Sequence, residues 1–315
     1  MLQKLGNYLL SSNTHASTVA LILAALSFWG IPTAFLALII LGLVALVKGP
    51  RAGLIVLAWA ILPALCMLYL HQWAFLDGIA VLRSILVLAL ALLLRSKNSW
   101  HLVLEVSVGI GLLIVFGFHL FVPDVAHWWA ESLKTYLANM DLHQALNMTQ
   151  EQVQGLLSQA LPYMTGLLVT GTLIGVFLLL IMARWWQKLV QYSERSLGQE
   201  FSAIRMMPWD AGVILVAVIG CLLAQNLALD CLPILLFPFV VTGLSVVHYG
   251  ANRKKSESLL GGMNLTKTLK VILLILYVGL IFVPWVLVGI LALVGLIDSG
   301  FNIRQYVFDR KRVKA

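Results

Sequence analysis

An all-α polytopic transmembrane helix bundle is the fold class this sequence predicts, and three observations carry the prediction. Hydrophobic residues make up 61% of the chain and charged residues only 11%, where soluble domains carry about a quarter charged. The mean hydropathy is +0.96. Apolar runs recur along all 315 residues, separated by short charged stretches, and a helix needs about 20 apolar residues to cross the hydrocarbon core. No stretch is long and polar enough to build a separate soluble core, so residues 1–315 read as a single membrane domain.

The chain opens with MLQKLGNYLLSSNTHAS, which holds a lysine and a short apolar patch. No run of h-region length ending in small residues follows, so no cleaved signal is expected. Ala16, Ala20 and Ala24 then form a small-xxx-small face that lets another helix approach closely. That face serves either internal packing or docking of a partner protein. Thr18 to Val47 is too long for one span and short for two, and Trp29-Gly30-Ile31-Pro32 interrupts it. Proline breaks a helix and tryptophan favours the water–lipid boundary, which predicts a tight helical hairpin.

Six ordinary spans follow at residues 52–70, 79–95, 100–122, 162–184, 211–229 and 232–249. A second hairpin is expected over Val271 to Ile297, broken at Pro284-Trp285. The sum is about ten crossings. Half-runs of about 13 residues rise about 20 Å against a core of about 30 Å. The two hairpins are therefore expected to be re-entrant or shielded by neighbouring helices.

The charges test this threading independently. The formal net charge is +8, with 21 Lys and Arg. With the N-terminus inside, all of them except Arg83 and Lys134 fall in cytoplasmic segments, as the positive-inside rule requires. An eight-span chain that kept the charged loops inside would put both termini outside, and with them the basic tail, residues 301–315. Both termini are thus expected in the cytoplasm, and the lipid bilayer is the first partner. The basic residues sit in loops without a recognition module, which argues against nucleic acid.

Two segments lie between spans. Residues 123–161 are expected outside as two amphipathic helices: Trp128, Trp129, Leu133, Tyr136, Leu137 and Met140 recur at helical spacing, and Thr149-Gln150-Glu151-Gln152 is a capping box that starts the second. They lie on the membrane face or form a lid. Residues 185–209 form a cytoplasmic loop that opens with Trp185 and Trp186, placed where an aromatic belt is expected. Trp186, Leu189, Val190, Leu197, Phe201 and Ile204 share one helical face, with a bend expected at Gly198. This reads as an interfacial helix whose basic side meets anionic lipid.

Few residues are candidates for chemistry. Arg83 lies within a span, where an arginine costs about 2.5–3.5 kcal/mol on the insertion scale. Glu105 on the next span differs in depth by about five residues, or about 7 Å. The two either form a structural pair, or Arg83 faces a polar cavity and meets an anionic ligand. Gln225 and Asn226, followed by Asp230 and Pro233, make a second polar patch that lines a cavity or joins helices. His71, His119 and His127 are all expected near the outer boundary but lack metal-binding spacing. Cys66, Cys221 and Cys231 are odd in number and without CxxC spacing, so neither a disulfide framework nor a zinc site is indicated. No Walker loop, GxSxG elbow or GxGxxG unit is present in the sequence. The expectation is a protein that is not an enzyme, with no catalytic residues, metal or cofactor.

Lys48-Gly49-Pro50-Arg51-Ala52-Gly53, Ala183-Arg184-Trp185-Trp186-Gln187, Gln199-Glu200-Phe201, Ile204-Arg205 and the ending Asp298 to Arg304 resemble the YybS-like family of predicted bacterial membrane proteins. The resemblance covers nearly the whole chain and implies a multi-pass protein of the bacterial cytoplasmic (inner) membrane. It transfers no molecular activity. The family's front half is in turn similar to substrate-binding components of energy-coupling-factor vitamin transporters, which dock their transmembrane partner through an alanine face matching Ala16, Ala20 and Ala24. Those components usually have six helices, fewer than counted here.

Two functional readings follow. In the first, a transport-type protein binds a small-molecule ligand in an intramembrane cavity lined by Arg83, Glu105, Gln225 and Asn226. In the second, a non-transporting scaffold holds membrane or cytoplasmic protein partners through residues 185–209 and the basic tail.

Overall fold

The computed structural model describes residues 1–70, 74–137, 149–192, 196–222, 226–252, 265–282 and 284–304. Every regular element among these is helical. Among the described residues, five helices are long and apolar enough to cross a membrane: Pro50–Leu70, Asp77–Lys97, Trp100–Phe121, Glu151–Val190 and Leu227–Ala251. The protein is therefore an all-helical membrane protein. Its helices gather into two compact units, each discontinuous in sequence: Met1–Leu104 with Thr172–Ile204, and Glu105–Gly171 with Arg205–Ala315.

The first unit begins with α1 (Leu2–Ser11) and α2 (Asn13–Leu26). Ser12 lies between them, and its Oγ accepts the Thr14 N–H, capping α2. A 3-10 turn over Ser27–Trp29 and Gly30 in the left-handed region (φ 77°) then reverse the chain. The Thr33 hydroxyl donates to the Leu23 carbonyl at 2.6 Å and fastens this turn before α3 (Ala34–Lys48) begins. The hairpin expected around Trp29 and Pro32 is present, broken where these residues require it.

Every residue of α3 from Ala37 to Leu46 is buried. Such a uniformly apolar helix belongs in the interior, and α2, α4 (Pro50–Leu70) and α5 (Ala74–Lys97) pack around it. At about 22 Å, α3 is shorter than the bilayer core; its neighbours enclose it from Ala37 to Leu46, while Phe35 and Leu36 at its start are exposed. Apolar side chains gain little by leaving lipid for protein, so close packing of small residues must hold these helices together. A Cβ on Gly42 would lie 2.9 Å from Ala183 Cβ, and one on Gly53 only 2.6 Å from Leu88 Cδ1. Ala16, Ala20 and Ala24 are buried too. The alanine face of α2 is filled inside the unit and is not an open docking surface.

α6 (Trp100–Phe121) and α9 (Met164–Val190) each contain a boundary between the units. The second unit holds α7 (Val125–Leu137) and α8 (Gln150–Ala160), the two amphipathic helices expected over residues 123–161. The capping box forms as predicted: Thr149 N–H donates to Gln152 Oε1 at 2.9 Å and Gln152 N–H to Thr149 Oγ1 at 3.3 Å. α8 does not end in a loop, however. Through a 3-10 turn over Leu161–Tyr163 it continues into α9, giving a helical stretch from Glu151 to Val190.

α11 (Pro208–Leu222), α12 (Asn226–Asn252), α13 (Leu265–Phe282) and α14 (Pro284–Phe301) complete the second unit. At the crossing of α12 with α14 the backbones touch. A Cβ on Gly243 would collide with the Leu291 carbonyl oxygen, and one on Gly295 with that of Phe239. The expected boundary between spans 211–229 and 232–249 is corrected. α12 runs unbroken through Asp230, Pro233 and Pro238. Prolines are tolerated inside membrane helices because neighbouring groups satisfy the freed backbone. Asp230 is tolerated because two partners receive its charge.

Candidate functional site

Asp230 lies in the second turn of α12 with its side chain wholly buried. Its Oδ1 accepts the backbone N–H of Gly166 at 2.7 Å, and its Oδ2 is 2.9 Å from His119 Nε2. Gly166 is the third residue of α9, directly after the 3-10 turn over Leu161–Tyr163. One carboxylate thus joins the end of α6 to the starts of α9 and α12. Only glycine fits at position 166, since a Cβ there would overlap the Asp230 carbonyl oxygen. His119 keeps 19% of its side chain exposed, so the imidazole is the edge through which the pair meets its surroundings.

α7 covers this end of the unit. Asp124 Oδ1 caps it by accepting the His127 N–H at 2.9 Å, and its apolar side buries Val125 and Trp129 one turn apart. Trp129 Nε1 donates to Thr165 Oγ1, adjacent to Gly166, at 2.9 Å. The Phe118 ring, next to His119, lies 5.0 Å edge-on from Trp128 and 6.2 Å from Trp129. An aromatic clasp of this geometry adds about 0.5–1.5 kcal/mol per pair beyond burial. The arrangement is a buried carboxyl group with one partly exposed hydrogen-bond partner beneath an aromatic helix. It can exchange a proton, or its histidine partner for a cationic or hydrogen-bond-donating group.

A second buried carboxylate, Asp298 near the end of α14, has a structural setting. Arg304 Nε donates to its Oδ2 at 3.0 Å while Arg304 Nη2 reaches Ser245 Oγ on α12 at 3.2 Å. Arg205 donates to the Asp298 and Ser299 carbonyls, closing the C-terminus of α14. Burial draws the Arg304 guanidinium below its ordinary value, and the charge and hydrogen bond of Asp298 oppose that fall.

In the first unit, Glu200 on α10 (Leu197–Ser202) receives Arg184 through both carboxylate oxygens, at 3.1 and 3.0 Å, and Lys188 at 2.9 Å. Arg184 also reaches Asn98 Oδ1 at 2.5 Å, and Gln187 and Arg95 both donate to the Leu46 carbonyl. Burial by itself would raise the Glu200 carboxyl, but the hydrogen bonds and charges of Arg184 and Lys188 outweigh it and hold it below the ordinary carboxylate range. The C-terminal ends of α3, α5 and α9 are thereby tied together.

The other residues singled out from sequence are dispersed. Arg83 lies half-buried on α5 in the first unit, its Nε without a hydrogen-bond partner among the described residues. Glu105 on α6 opens the second unit. Gln225 falls outside the described residues, as do His71 and positions 305–315 of the tail, and Asn226 is the first residue of α12. Trp185 is exposed, whereas Trp186 is buried and donates Nε1–H to the Leu2 carbonyl at 3.0 Å. Within residues 185–209, Ile204 and Met206 are buried, while Leu189 and Met207 are exposed. Sequence reasoning noted Asp230 and His119 separately and did not pair them. The available signal was that both sit at span ends assigned to the same side.

These features define a helical membrane protein whose described residues include the buried carboxylates of Asp230 and Asp298 and the basic cluster around Glu200. No family model, characterised protein or solved structure matches the chain.

Proposed function

We propose that this is a multi-pass membrane protein of transport type, which binds a small solute at the Asp230–His119 pair beneath α7. The observation that carries the reading is a wholly buried carboxylate inside an apolar helix, linked to the surface by a partly exposed histidine. Ionisable groups buried among membrane helices are costly and mark solute, ion or proton paths by default. A solute with a cationic or hydrogen-bond-donating group would take the place of His119 at Oδ2, and release of the Trp129–Thr165 bond would open the site.

About ten crossings, both termini in the cytoplasm and residence in a bacterial inner membrane complete the proposal. Helix ends that the charges assign to one side meet one another. Arg95, Arg184 and Gln187 gather the ends of α3, α5 and α9, and Arg304 ties the end of α14 to α12. Membership of the YybS-like family belongs to the same proposal and is supported by the clamp roles of Arg184, Glu200, Arg205, Asp298 and Arg304. No chemical step is assigned, and the protein is proposed not to be an enzyme.

The test is ligand-induced stabilisation of the purified full-length chain, followed through its ten tryptophans. Monovalent cations, amines, amino acids and vitamins are screened as added solutes. A ligand at about 100 times its Kd stabilises the fold by about 2.7 kcal/mol. The expected result is a saturable shift that Asp230→Asn abolishes. Absence of any shift, or a shift unchanged in Asp230→Asn, removes the reading.

A further inference from the structure

The first helix has three distinct faces. One packs on protein: Gly6 and Leu9 are buried, and a Cβ on Gly6 would lie 2.5 Å from Val190 Cγ2 and 2.9 Å from Trp186 Nε1. Trp186 Nε1–H is bonded to the Leu2 carbonyl, and Gln3 Nε2 donates to the Leu189 carbonyl at 3.2 Å. A second face is exposed and polar, with Lys4, Asn7 and Ser11 at three- and four-residue spacing. The third is exposed and apolar, with Met1, Leu5 and Tyr8 at the same spacing beside it. A helix in water gains nothing from two exposed faces so cleanly sorted. A helix lying in a membrane surface requires both.

Its placement agrees. α1 docks on the last two turns of α9, at the end of the apolar stretch from Glu151 to Val190, which is the depth of a membrane boundary. The chain bends by 115° between α1 and the helix that starts at Asn13. That second helix is the first arm of the apolar hairpin, so α1 turns away from the direction of the spans and runs across it. Trp185, Leu189 and Tyr192 are exposed at the same end of α9. Tryptophan and tyrosine are the residues enriched at that level.

We propose that α1 is an in-plane membrane helix, held against the end of α9 by Trp186 and immersed in the lipid surface through Met1, Leu5 and Tyr8. The interfacial element of this chain is therefore residues 2–11, and the occupant of its apolar face is the bilayer. Lys4 stands at its water edge, where a long basic side chain reaches the phosphate level.

Full-length protein with its three cysteines replaced by alanine carries a single new cysteine, either Leu5→Cys or Asn7→Cys, labelled with an environment-sensitive fluorophore. It is reconstituted into phosphatidylcholine–phosphatidylglycerol vesicles, with iodide equilibrated across the membrane. A phospholipid carrying a nitroxide near the glycerol end of its acyl chain supplies the lipid-side quencher. Expected is strong nitroxide quenching and several-fold weaker iodide quenching at position 5 than at position 7. Equal iodide quenching at the two positions overturns the proposal, because α1 would then lie in water. Protection of position 5 from both quenchers also overturns it, because a second copy or another protein would cover the face. Since the two labels share one helix and one background, misfolding of α1 shows as loss of their difference and counts against the proposal as well.

Discussion

Breaking the Asp230–His119 pair tests whether the second unit is organised around a buried charge. His119→Ala leaves Oδ2 of a wholly buried carboxylate without its donor, while Asp230→Ala strands both the Gly166 N–H and the imidazole. Removing one partner of a buried pair costs about 3–5 kcal/mol. The lower figure applies here, because His119 retains 19% exposure. The double variant loses no charge pair that Asp230→Ala has not already lost, so its cost should be close to that of Asp230→Ala alone. The summed single costs should exceed the double by about 3 kcal/mol, the cost of His119→Ala itself, at the upper end of the range found for residues sharing one network. Asp230→Asn is milder, at about 1 kcal/mol, because its amide oxygen still accepts from Gly166 and its amide nitrogen can donate to the other imidazole tautomer. The assay is reversible unfolding in mixed micelles, read by tryptophan fluorescence at neutral pH. Additivity of the single variants within about 0.5 kcal/mol would show that the two side chains do not interact.

Two further predictions concern the scaffold. The Glu200 carboxyl is held below its ordinary value of 4.5, so the stabilisation it gives is complete above that value and is lost as pH falls through the folded value. Glu200→Gln should therefore cost about 1.5–3 kcal/mol at neutral pH, and the gap from wild type should close in acid unfolding titrations; a gap that widens in acid contradicts the clamp. Gly243→Ala and Gly295→Ala should each lose at least about 1–3 kcal/mol by driving α12 and α14 apart, whereas Gly289→Ala on the same α14, with open space around it, should stay within about 0.5 kcal/mol in the same unfolding assay.

Local rules made much of the fold legible. The break at Trp29 to Pro32 follows from residues that cannot continue a helix, and the structure turns there with Gly30 at positive φ. The capping box at Thr149 to Gln152 forms because its two hydrogen bonds need only four consecutive residues. The amphipathic spacing in α7 located the face that carries Trp129. The site was far less legible. Asp230 looked like the end of a span because an unpaired carboxylate belongs near water, and nothing near it in sequence announces His119 or Gly166. Residues 185–209 looked amphipathic and basic, as a lipid-facing helix should. Glu200 lies too far along the chain from Arg184 for spacing to reveal that it receives the arginine and Lys188 together.

The sequence by itself determined that the chain is helical and membrane-embedded, and where its tightest turns and caps fall. Those properties depend on composition and on hydrogen bonds between residues a few positions apart. Only the tertiary structure decided which charges are buried, which basic residues are engaged, and that the first ten-residue helix packs against the end of α9 through Trp186. The cost of burying a charge depends on the partners other helices bring to it. That is a property of the packed chain, and no local pattern carries it.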